Sequence, residues 1–75
     1  MPKLYSARVV LSTLKKAGFV IIRQKGSHIK LYRRIAEKSF TVIVPNHKEI
    51  AIGTFNSILK QAGLTRKEFE DIYLL

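Results

Sequence analysis

The sequence predicts an α+β domain in the order α-β-β-β-α, with a three-stranded antiparallel sheet covered by helices on one face. Three observations predict it. Two stretches with apolar residues at helical spacing flank the middle of the chain, and the middle holds three runs rich in β-formers. The links between those runs are too short for anything but an antiparallel meander. A short helical segment ends the order.

Each element has a local reason. Ser6 caps a first helix in which Ala7, Val10, Leu11, Leu14 and Ala17 recur at helical spacing, leaving Arg8, Ser12 and Lys15 on the wet side. Gly18 ends that helix in a left-handed cap. Residues 19–25 form a first strand, and Gly26-Ser27 is a two-residue hairpin turn with positive φ at its first position. A second strand covers 28–34, residues 36–39 make a polar connection, and a third strand covers 40–44. Pro45 closes it, because proline cannot donate to a ladder. A loop at 46–53 leads to Thr54, which is expected to cap a second helix carrying Phe55, Ile58, Leu59 and Ala62 and ended by Gly63. Thr65 followed by Glu68 is a capping box that opens the last helix, with Phe69, Ile72 and Tyr73.

Length and composition narrow the function classes. The 75 residues suit one domain spanning 1–75, with no linker or low-complexity stretch, and a hydrophobic fraction of 47% is that of a globular chain. A domain this small buries only ~60% of its unfolded surface, so chemistry is expected at the surface rather than in a large cavity. The absence of cysteine excludes disulfides, a thiolate nucleophile and a Cys-rich zinc site. Apolar runs such as Phe19-Val20-Ile21-Ile22 are too short to cross a bilayer, and Arg8 interrupts any leader-like core. The expectation is a soluble, cytoplasmic domain without a membrane partner.

Charge supplies the first functional signal. Fourteen Lys and Arg stand against five acids, a net of +9. Residues 1–36 hold nine of those cations, from Lys3 to Arg34, and no acid at all, whereas 37–75 carry five of each sign. A half-chain with that imbalance repels itself, so a polyanionic partner is the natural inference.

The turn then sets the faces. With Gly26-Ser27 as a two-residue loop, Lys25 lies opposite His28, Arg23 opposite Lys30, Ile21 opposite Tyr32 and Phe19 opposite Arg34, all on one face. Val20, Ile22, Ile29 and Leu31 fall on the other, where the helices are expected to pack. The open face therefore presents Arg23, Lys25, His28, Lys30, Tyr32 and Arg34. Like charges directly across strands destabilise a sheet, so placing Arg23 opposite Lys30 makes little sense for stability alone. An aromatic among cations suits phosphate contacts with base stacking.

Two histidines could carry chemistry. His28 stands just past the turn at the end of the cationic face, and histidine is the side chain suited to moving a proton to or from a ribose hydroxyl or a leaving oxygen at neutral pH. His47 lies in the loop after Pro45, with Glu49 the acid nearest to it in the sequence. No set of four ligands for structural zinc is apparent, nor are the carboxylates that a metal-dependent nuclease would use. No metal or other cofactor is expected. Ser27 precedes His28 directly, and adjacent strand residues point to opposite faces, which argues against serine catalysis. No Gly-rich phosphate loop is present.

Taken in order, Leu14-Lys15-Lys16-Ala17-Gly18-Phe19, Gly26-Ser27-His28 after a basic strand, Val44-Pro45-Asn46-His47, and Gly53-Thr54 leading into Ile58-Leu59-Lys60-Gln61-Ala62-Gly63-Leu64 resemble the HicA family of bacterial toxins. The resemblance covers nearly the whole chain. It implies a double-stranded-RNA-binding-domain-like fold and mRNA interferase activity, with a HicB antitoxin as partner and the histidine of the Gly-Ser-His motif, here His28, as the catalytic residue. The expected RNA-binding set is Arg23, Lys25, Gly26, Ser27, Lys30, Tyr32, Arg34, His47 and Lys48, in a protein expected to be monomeric when free. The chain departs from many members in having Ile29 where they have a second histidine. Strand parity puts residue 29 on the covered face, which leaves His28 outward. For His47, a loop-ordering hydrogen bond and substrate contact are both open.

Three function classes follow. The first is a metal-independent endoribonuclease with His28 as general acid or base. The second is a non-catalytic RNA-binding module using the same face. The third is a DNA-binding component of a toxin–antitoxin operon, disfavoured because no basic recognition helix is apparent.

Overall fold

A computed structural model describes residues 4–75, so Lys3, one of the N-terminal cations, lies outside the described residues. The elements are α1 (Ala7–Lys16), β1 (Val20–Lys25), β2 (His28–Ile35), β3 (Lys38–Pro45), α2 (Ile52–Ala62) and α3 (Arg66–Tyr73). The strands form one antiparallel sheet in the order β1-β2-β3. This is the expected α-β-β-β-α fold.

Local chemistry accounts for the boundaries. The Ser6 hydroxyl accepts from the Val9 N–H (3.2 Å), and Gly18 follows α1 with a positive φ of 102°. Thr65 and Glu68 make both hydrogen bonds of the capping box. At Gly63, φ is 70° and an added Cβ would lie 2.7 Å from the Phe40 ring, so the residue is held by conformation and by packing together.

The core lies between the helices and the inner faces of β2 and β3. Ile29, Leu31, Val42 and Val44 from the strands meet Val10 and Leu14 of α1, Phe55 and Ile58 of α2, and Phe69 of α3. Phe55 and Phe69 pack edge to face at 5.0 Å, with Tyr5 beside both rings. Among the described residues no helix is long and apolar enough to cross a membrane.

Three expectations need correction. Val20 and Ile22 are 57% and 53% exposed, while Phe19 is only 2% exposed, the reverse of the predicted faces. The cause is a β-bulge. Arg23 pairs with Lys30 but Ile21 pairs with Leu31, so Ile22 is an extra residue that flips the strand preceding it. Phe19 thereby turns into the core, and all six residues of β1 remain exposed because the helices lie over the other two strands. Second, Thr54 does not cap α2. The helix begins three residues earlier, with Ala51 at the cap position and no side-chain cap, because buried Ile50 anchors the entry through its N–H to the Tyr5 carbonyl (2.8 Å). Third, the β2–β3 connection is a two-residue turn, Ala36-Glu37, since the ladder extends to the Ile35–Lys38 pair. Ala36 takes the positive φ (53°) this tight turn requires.

Candidate nucleic-acid interface and histidine cleft

The open face of the sheet carries the predicted cations. Lys25 pairs with His28 and Arg23 with Lys30, as the two-residue turn requires, and Gly26 has φ 58° in open space. Beyond the bulge, Tyr32 lies opposite Val20 rather than Ile21. Arg34 lies six residues along β2 from His28, about 20 Å away. Its Nε donates to the Ala36 carbonyl (3.1 Å), so it braces the far turn. Arg33, on the opposite face, stands over the Phe19 ring at 5.8 Å. Among the described residues the one salt bridge is Lys67–Asp71 on exposed α3, which leaves Arg23, Lys25 and Lys30 without acidic partners. The repulsion expected from the sequence is thus unrelieved within the fold.

His28 is exposed, and its side chain makes no hydrogen bond to the described residues. It opens onto a cleft of about 490 Å³ lined also by Ile43, Pro45, His47, Glu49, Ala51, Thr54 and Gln61. Backbone hydrogen bonds assemble this cleft. The Asn46 N–H donates to the Ser27 carbonyl (2.6 Å), which pins the loop after β3 to the hairpin turn. The His47 N–H donates to the Pro45 carbonyl, and the His47 carbonyl accepts from Ala7 N–H, both at 2.9 Å. From α2, Gln61 accepts from the Ile43 N–H through Oε1 (2.9 Å), closing the other side and blocking the outer edge of β3.

The fold therefore brings the two histidines, 19 positions apart in the sequence, to one cleft. The loop ordering at His47 is carried by its backbone, and this leaves the imidazole on the cleft wall. Glu49 and Thr54 join them, and Gln61 closes the side; the sequence offered no local signal for either Thr54 or Gln61 here, because Thr54 was readable as a helix cap and Gln61 as an ordinary helix residue. Lys48 is displaced from this group. It lines a neighbouring hollow with Ser6, Arg8, Asn46 and His47. Among the described residues no three His, Asp or Glu side chains cluster as metal ligands.

The family described as HicA toxin of bacterial toxin-antitoxin matches over residues 7–64 of the 75. The chain belongs to the HicA toxin family. No curated protein matches it. It is thus a toxin of the toxin–antitoxin kind, and an antitoxin is its counterpart. The HicA match takes in α1, the whole sheet and α2, and stops before α3. Both histidines and every cation of the open face fall within it.

Proposed function

We propose that this HicA toxin is an endoribonuclease that cuts mRNA in the cytoplasm, with His28 as general acid or base. The observation that carries the reading is the position of His28: exposed, at the end of an unpaired cationic face, and opening onto a cleft with a second imidazole. The cations Arg23, Lys25 and Lys30 draw in the phosphate backbone, and Tyr32 offers a ring for a base to stack on. Gly26 and Ser27 act by holding the turn that aims His28. At the scissile phosphate, His28 takes a proton from the ribose hydroxyl or gives one to the leaving oxygen. His47, across the same cleft, is placed to serve the complementary step or to hold the phosphate.

The HicB antitoxin silences the enzyme by covering the His28 side of the sheet. Its covering surface is acidic, since an anionic patch mimics phosphates and gains rapid electrostatic association.

Cleavage of single-stranded RNA in excess chelator tests the reading. His28→Ala should lose ~10²–10⁴-fold in rate and cease to inhibit growth. Its melting temperature should stay the same, because the side chain projects away from the core. An Ala variant that cuts as fast as the parent would overturn the assignment. RNA binding without cutting by the parent would leave a non-catalytic binding module instead.

A further inference from the structure

We infer that the strand bound at the His28 cleft continues past His47 and along the exposed side of α1, over Lys48, Arg8 and Lys15. This rests on the RNA reading above and extends it to a surface outside the sheet. Three adjoining hollows carry the inference. His47 lines the His28 cleft and also the hollow of about 450 Å³ that holds Ser6, Arg8, Asn46 and Lys48. Arg8 in turn lines a further hollow of about 570 Å³ with Leu11, Ser12, Lys15 and Lys16. Shared walls make these one continuous track, and the Ala7–His47 backbone hydrogen bond holds the loop against the first turn of α1.

The charges along the track point to a polyanion. Glu49 faces the first hollow, and no acid lines the second or third. Lys15 and Lys16 sit in the last turn of α1, where the helix dipole favours cations, so stability alone explains their sign. Arg8 is the opposite case. It stands in the first turn, where the dipole disfavours a cation and no acid compensates, and it makes no hydrogen bond or salt bridge to the described residues. Lys48 is likewise exposed and unpaired. Lys16 is already engaged with the Leu75 carbonyl (3.1 Å). From Arg8 to Lys15 the helix rises about 10 Å, enough for more than one backbone phosphate and too long for a single small anion. The ligand class is the sugar–phosphate backbone of a single strand.

The test uses the intact protein with 2′-O-methyl single strands, which cannot be cut through the ribose hydroxyl. Binding is measured for strands of about four and about twelve nucleotides. The double variant Arg8→Gln, Lys15→Gln should bind the long strand at least tenfold more weakly, with the log–log salt slope flatter by ~0.7 per lost contact. The short strand, served by Lys25 and Lys30 beside His28, should bind as before. Equal binding of the long strand by parent and variant would overturn the track while leaving the cleft reading intact. Failure of the parent to bind either strand would overturn both. Loss of antitoxin binding with RNA binding unchanged would make the surface a protein interface and would also overturn the track.

Discussion

His28 owes its aim to its neighbours in the chain rather than to contacts of its own. Gly26 supplies the positive φ that turns β1 into β2, the Ser27 carbonyl fastens the loop after β3, and Lys25 pairs across the turn. The cations beside it follow the opposite logic, since each is held near another of like charge. Replacing Arg23, Lys25 or Lys30 by Ala should weaken RNA binding and reduce its salt slope by ~0.7 per lost phosphate contact. Thermal stability should hold or rise, because each change relieves cross-strand repulsion. Three unchanged slopes would leave the open face without its proposed role. Glu68 shows a residue whose charge serves the fold. The Thr65 backbone N–H (2.8 Å), and then a side-chain hydrogen bond with Thr65, hold its carboxyl below the ordinary value of 4.5. A carboxylate depressed in the folded state stabilises above the unfolded pKa, and that stabilisation is lost as the pH falls through the folded one. Between about pH 5 and about pH 3 the melting temperature should therefore fall more for the parent than for Glu68→Gln. Equal falls would remove the capping carboxylate from the acid response.

Among the elements, β1 is the one whose inward and outward faces have changed meaning. Its apolar residues look like a core strand, yet the bulge at Ile22 and the distance from the helices leave the whole strand exposed. Ile22→Thr should then change stability by no more than ~0.5 kcal/mol. Leu31→Ala on β2, where the side chain is fully buried, should cost ~2–5 kcal/mol. Denaturant titration of the two variants separates the arrangements: comparable losses would return Ile22 to the core. The other edge strand, β3, is managed differently, with Gln61 of α2 occupying a backbone donor that a further strand would otherwise take.

The whole molecule is a covered half-sheet with its charge displaced to the uncovered side. Helices conceal the apolar faces of β2 and β3, so Arg23, Lys25 and Lys30 meet solvent on the other face, while Arg8 and Lys15 meet it along α1. Such a toxin can be silenced by covering rather than by unfolding. Saturating antitoxin should accordingly release RNA already bound to His28→Ala protein, with Lys25, Lys30 and Tyr32 contested by both ligands. A stable complex of all three components in the same titration would rule out direct masking and favour inhibition from the helical side.

The sequence by itself determined the order of elements, the hairpin turn, the Lys25–His28 and Arg23–Lys30 pairs, and the capping box at Thr65, because each depends on residues only a few positions apart. It also marked His28, since a short turn leaves the next outward side chain little choice of direction. Tertiary structure decided the rest. The bulge at Ile22 answers to Phe19, whose large ring is drawn under the helices and rotates the preceding stretch of strand with it. The early start of α2 answers to Ile50, anchored from the other end of the chain by the Tyr5 carbonyl. The cleft exists because the loop after Pro45 bonds at once to the hairpin and to α1, segments that no local pattern connects. Local hydrogen bonding and turn geometry are written in neighbouring residues, whereas the placement of a loop or a bulge depends on what lies across the core.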